Sequence, residues 1–108
     1  MAKYAYHRSD GNAAAIFEAW KRVGATVEPI GRPTDALVGF RGVNYLFEIK
    51  TARGRLRTSQ AAFLERWRGQ AAVIRSVDEG LWAIGALSPK QLAFALSRWR
   101  AAKLAKVK

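Results

Sequence analysis

The 108-residue sequence contains no cysteine, so disulfides and thiolate metal sites are excluded. Its single histidine, His7, has no partner at ligand spacing and is given no catalytic role. No run of about eighteen apolar residues occurs, and the N-terminus lacks the charged-then-apolar pattern of a secretory signal. A soluble, cytoplasmic protein without a membrane-spanning helix is expected. Acidic residues are scarce, eight against nineteen lysines and arginines, and the net charge is +11. An excess of that size favours polyanions, nucleic acid before anionic membrane. What is plentiful is apolar: half of all residues, enough to fold one domain around a modest core.

Two of the eight acids fall in one stretch, Asp35 to Lys50, around which the chain is organised. Leu37, Val38 and Phe40 form one apolar run; Val43, Tyr45, Leu46 and Phe47 form another. Arg41-Gly42 lies between them at the length of a hairpin turn, and Gly42 tolerates positive φ. That turn pairs Phe40 with Val43 and Gly39 with Asn44, and the outermost pair is Asp35 with Glu48. Directly opposed side chains have Cβ atoms roughly 4.5–5.5 Å apart, so two carboxylates there repel unless a cation lies between them. Glu48 and Lys50 share a face. The open end of the hairpin thus reads as a divalent-metal site with a lysine beside it. The alternative is an ordinary solvent-facing Glu-x-Lys ion pair. Against it stands the scarcity of acids and the apolar company of these two.

Elsewhere, Ser9 or Asp10 is placed to cap a helix starting near Gly11. Its apolar stripe is Ala13, Ile16, Phe17, Trp20 and Val23, and Gly24 ends it. Glu18 falls on the other side. Thr26 to Ile30 reads as a short strand, and Gly31-Arg32-Pro33 as the loop that delivers Asp35. After Lys50, Arg53, Arg55 and Arg57 alternate through a glycine-containing loop. It is either a solvated loop or a phosphate clamp, since arginine offers phosphate a bidentate fork. Thr58 is expected to cap a second helix with Ala62, Phe63, Leu64 and Trp67 as its buried stripe and Gly69 at its end. Gln60 lies in its first turn, near the end of the hairpin. Ala71 to Ile74 is a buried strand, parallel to the one ending at Glu48 because a helix connects them. Val77 to Ile84 is helical, with Leu81 and Trp82 apolar and Asp78 and Glu79 placed by the helix dipole. Ser88-Pro89 opens a basic amphipathic helix over 88–108.

The order helix, strand, hairpin, helix, strand, further helices resembles the PD-(D/E)XK nuclease superfamily. Within it, the chain resembles the small VRR-NUC domains, often phage-encoded and related to Holliday-junction resolvases. The likeness spans residues 8 to 85. Its carriers are Pro33-Thr34-Asp35, Glu48-Ile49-Lys50, Leu56-Arg57-Thr58-Ser59-Gln60 and the stretch from Gly69 through Ala72-Val73-Ile74-Arg75-Ser76. Asp10-Gly11-Asn12 fits the family's first-helix start, but Ala13 stands where a Glu or Gln is usual.

The resemblance implies an α/β fold: a restriction-endonuclease-like core of order α-β-β-β-α-β, a mixed sheet flanked by helices, with extra C-terminal helices. Residues 1–87 would be the nuclease domain and 88–108 a helix packed on or extending it. It also implies hydrolysis of DNA phosphodiester bonds with Mg²⁺ or Mn²⁺. Asp35, Glu48 and the Ile49 carbonyl would hold the ion, with Asp10 or Asn12 as a possible contribution from the first helix. Lys50 and Gln60 would complete the catalytic set. Arg53, Arg55, Arg57, Arg32 and Arg41 would contact DNA, and a homodimer would place two sites on opposite strands of a junction or flap. Two competing readings are a DNA-binding module with a degenerate site, suggested by Ala13, and a basic interaction protein acting through 88–108.

Overall fold

The computed structural model describes residues 11–87 and Lys90. The expected Ser9 or Asp10 cap and the 88–108 helix, with the domain division at 88, lie outside the described residues. Helix α1 (Ala13–Arg22) begins two residues later than expected. Asn12 stands at its N-cap position, with no side-chain capping bond. Ala13, Ile16, Phe17 and Trp20 form the buried stripe; Val23, beyond the last turn, is 38% exposed. Gly24 ends the helix at φ +99°. Its amide donates to the Lys21 carbonyl and that of Ala25 to the Trp20 carbonyl, both at 3.0 Å. This paired arrangement satisfies carbonyls that a helix end otherwise leaves open.

Strands β1 (Thr26–Pro29), β2 (Ala36–Phe40), β3 (Val43–Ile49) and β4 (Ala71–Ile74) form one sheet in the order β1-β2-β3-β4. The first two pairings are antiparallel and the third is parallel. The hairpin register is the expected one, Phe40 opposite Val43 and Ala36 opposite Phe47. Arg41 and Gly42 both have positive φ, 52° and 81°, as a two-residue turn matched to strand twist requires. The ladder stops at Ala36, so Asp35 lies one residue outside the strand. Helix α2 (Thr58–Arg66) connects β3 to β4, which a parallel pairing needs. Helix α3 (Val77–Ala83) follows. The Ser76 hydroxyl accepts from the Glu79 amide at 3.1 Å, and the Glu79 carboxylate accepts from the Arg75 amide at 2.6 Å. Glu79 therefore has the structural role expected of it. No helix among the described residues is long and apolar enough to cross a membrane.

The core lies where α1 covers the face of the sheet that carries Phe47. Trp20 is fully buried, stacks on Phe47 with ring centroids 5.0 Å apart, and donates its indole N–H to the Gly80 carbonyl at 2.8 Å. A Cβ at Gly80 would come within 3.2 Å of the Trp20 ring, so glycine is what lets α3 approach α1. One expectation fails here. Helix α2 buries only Phe63: Ala62 is exposed, Trp67 is 44% exposed, and the helix ends at Arg66 before reaching Gly69. Helical spacing groups residues on a face but does not say whether anything covers it. The helix expected from Val77 is present, with Trp82 50% exposed on it. The capping position of α2 is Arg57, one residue ahead of Thr58.

Trp20→Ala is expected to cost about 3–5 kcal/mol in urea unfolding. Trp20→Phe should cost about 1–3 kcal/mol, because the Gly80 carbonyl loses its donor in the interior. A Trp20→Phe variant as stable as the wild type would show that the indole hydrogen bond contributes nothing.

Candidate active site

Phe47 faces α1, so Glu48, the next residue, points to the opposite face, toward α2. Glu48 is 3% exposed. Burying a carboxylate is costly without partners, and two surround its Oε2: the Gln60 amide nitrogen at 2.6 Å and the Lys50 ammonium at 3.8 Å. Lys50 is itself largely buried. Gln60 serves two ends at once. Its Oε1 accepts from the Arg57 amide at 2.8 Å, closing the first turn of α2, while its nitrogen holds Glu48.

Asp35 is 7% exposed. Its Oδ2 accepts from the Ile49 amide at 2.7 Å, and its backbone carbonyl accepts from Ile30 at 2.9 Å. Lys50 donates its amide to Ile74 in β4 at 3.0 Å. Backbone groups of successive strand residues face opposite edges, so the Ile49 carbonyl faces the same edge as its amide, beside Asp35. The open end of the hairpin therefore brings two carboxylates, one strand-end carbonyl and one ammonium to one place.

The two carboxylates face an open cleft of about 670 Å³, lined by Asp35, Glu48 and Gln60 with Arg32, Arg57, Phe63 and Arg66; Ile49 and Lys50 lie behind its lining. The donors are hard oxygens, as Mg²⁺ and Mn²⁺ prefer, and magnesium needs only one or two carboxylates because it retains water. The residues fit such an ion. The carboxylate set is two: among the described residues no group of three metal-ligating side chains exists. Ala13 is buried in the core and Asp10 lies outside the described residues. The Asn12 amide nitrogen donates to the carbonyls of Lys50 at 3.1 Å and Arg75 at 3.0 Å. Asn12 thus ties the start of α1 to the ends of β3 and β4.

The arginines divide. Arg32 and Arg57 line the cleft. Arg53 and Arg55 are exposed on the loop after β3 and do not line it. Arg41 sits in the turn at the opposite end of the hairpin, its guanidinium 4.7 Å from the Phe40 ring centroid, away from the carboxylates. Two arginines escaped the sequence reading. Arg66 follows Gln60 and Phe63 at three-residue steps, a spacing that puts all three on one helix face. The Arg75 guanidinium donates to the carbonyls of Thr51 and Gly54, each at 2.7 Å, and so braces the loop that follows Lys50. No local signal announces that role.

No protein-family model matches the chain, and no curated protein matches its sequence. A solved structure described as a VRR_NUC domain superposes with a TM-score of 0.60 at 23% identity, over 74% of this chain and 98% of that one. The chain has the fold of a VRR-NUC domain. The four-stranded mixed sheet with its flanking helices is the restriction-endonuclease-like core that the motifs led us to expect. Within this VRR-NUC fold, the open end of the β2–β3 hairpin, the start of α2 and the loop before β2 converge on the cleft.

Arg75→Ala should release the loop at Thr51–Gly54. Two carbonyls lose their donor, and the Gly54 amide, bonded to Thr51 at 3.1 Å, is expected to exchange with solvent at least about tenfold faster. Unchanged exchange by NMR would mean the loop holds itself.

Proposed function

We propose that the protein is a metal-dependent DNA endonuclease that hydrolyses phosphodiester bonds, with branched DNA such as a junction or flap as its preferred substrate. The observation that carries this reading is that buried Asp35 and Glu48 line the same open cleft together with several arginines. Asp35, Glu48 and the Ile49 carbonyl are the groups that would hold Mg²⁺ or Mn²⁺. Such an ion, when bound, polarises a phosphoryl oxygen and acidifies a water.

The chain's own residues supply the rest. The Lys50 ammonium, 3.8 Å from Glu48, is positioned to stabilise negative charge developing on the phosphate. Gln60, held by the Arg57 amide, orients Glu48 and presents its amide to the phosphate or the attacking water. Arg32 and Arg57 grip the backbone from the cleft walls, in a manner independent of sequence and weakened by salt. Arg53 and Arg55 extend the positive surface beyond it. A homodimer would set two such clefts against opposite strands.

One observation favours a second reading, a DNA-binding module of the same fold with weak or no activity. The first helix offers Ala13 to the core in place of a carboxylate.

The deciding test incubates the protein with labelled linear duplex, single strand, flap and four-way junction in Mg²⁺ or Mn²⁺, beside Glu48→Ala and Lys50→Ala. We expect branched DNA to be cut fastest and each variant to lose about a hundredfold or more, the scale for removing one charge-stabilising group. Binding without cutting of any DNA would establish the module instead. An independent readout is thermal unfolding with Mn²⁺. At about a hundred times its dissociation constant the ion should add about 2.7 kcal/mol of stability, and Glu48→Ala should abolish that gain. An equal gain in the variant would place the ion elsewhere.

A further inference from the structure

The C-terminal end of α2 carries an aromatic residue that leaves much of its surface open. Trp67 is 44% exposed although one side of its ring packs on Phe63, the one residue α2 buries. It is nonetheless held in place. Its ring stacks on Phe63 with centroids 5.2 Å apart and planes inclined at 29°. It also lies over Gly69, where a Cβ would come within 2.7 Å of the indole nitrogen. Glycine at 69 is therefore what allows the ring to lie as it does. A rigid exposed aromatic costs little conformational entropy when it engages a ligand.

Its surroundings are cationic. The Arg66 guanidinium lies over the other partner of the stack, 5.3 Å from the Phe63 centroid, and lines the same cleft as Glu48. Arg68 folds back on the helix end, its Nη1 near the carbonyls of Glu65 and Arg66 at 3.4 and 3.3 Å. Phe63 is shared: one side faces the cleft and the ring supports Trp67. An exposed indole between two arginines, continuous with a basic cleft, suits one class of ligand: a polyanion that also offers flat π-faces.

We propose that Trp67 is a stacking platform for an unpaired base of the substrate DNA, a few nucleotides from the phosphate engaged in the cleft. The proposal rests on the reading of the cleft as a DNA site and deepens it. A continuous duplex buries its base faces in its own stack, so only an unpaired nucleotide can use Trp67. From Gln60 to Trp67 is about 10 Å along the helix at 1.5 Å per residue, a few nucleotides at about 3.4 Å each. The platform therefore selects DNA with a single-stranded segment beside the cutting site, such as a flap or an opened junction.

The test uses the full chain without divalent metal and measures binding of a labelled oligo-dT strand and of a blunt duplex of equal length. Trp67→Ala should weaken single-strand binding about tenfold, the scale of one lost base stack, and change duplex binding less than about twofold. Trp67→Phe should retain most of the single-strand affinity, since a ring remains. Loss on both DNAs alike, or on neither, would overturn the proposal. The cleavage assay separates it from the nuclease reading. Trp67-dependent single-strand binding by a protein that cuts nothing supports the platform and sinks only the nuclease. Cutting by a protein whose single-strand binding ignores Trp67 sinks only the platform.

Discussion

The hydrogen bond from the Ile49 amide to the Asp35 carboxylate, 2.7 Å long and buried, is the contact on which the cleft depends. Strand β2 ends at Ala36 while β3 runs on to Ile49. The Ile49 amide therefore has no strand partner, and a buried amide left alone is costly. The Asp35 side chain takes the place of a missing strand residue. A bond of this kind, neutral donor to charged acceptor, is worth about 1.5–3 kcal/mol. It also determines where the carboxylate is: beside Glu48 and the strand-end carbonyl. The same residue anchors its own loop, because its backbone carbonyl accepts from Ile30. Backbone satisfaction and placement of a cleft carboxylate are here one event.

Helix α2 is attached in a different way. With Phe63 as its one buried residue, it has little apolar area to hold it on the sheet. Gln60 replaces part of what packing would give, bonding Glu48 with its nitrogen and the start of its own helix with its oxygen. The link is charge-assisted and short, of the stronger class of hydrogen bonds. It couples the order of α2 to the state of Glu48. Anything that competes for the Glu48 carboxylate also acts on the helix that bears Arg57, Phe63 and Arg66. A site built with such a sparsely packed wall gives up stability for access.

After β3, the backbone carbonyls of Lys50, Thr51 and Gly54 are held by side chains from distant parts of the chain. Asn12 holds Lys50; Arg75 holds Thr51 and Gly54. The segment leaving β3 is thus clamped just after the residues that face the cleft, where loops are ordinarily mobile. Asn12 also reaches Arg75, so α1, β3 and β4 meet at one amide. A clamp of this kind limits how far the strand end that carries Glu48 and Lys50 can move.

Much of this was legible in the sequence. Arg41-Gly42 set the hairpin register, because a two-residue turn leaves one pairing and a one-residue slip would turn Val38 and Phe47 to the wrong face. The parallel placement of β4 followed from the helix between it and β3, and Gly24 marked the end of α1. That Asp35, Glu48 and Gln60 would share one place was readable from register and spacing. What remained hidden depended on partners far along the chain. Asn12 reads as a ligand candidate, and nothing local shows that its amide nitrogen would tie together carbonyls 38 and 63 residues away. Arg75 shows no local sign of bracing Thr51 and Gly54. Ala62, Leu64 and Trp67 have the spacing of a buried stripe, yet among the described residues no element covers them as a core. Periodicity and turn chemistry act between near neighbours and so are written locally. Which atom satisfies a buried carbonyl, and which face of a helix meets another element, is decided only when the whole chain is packed.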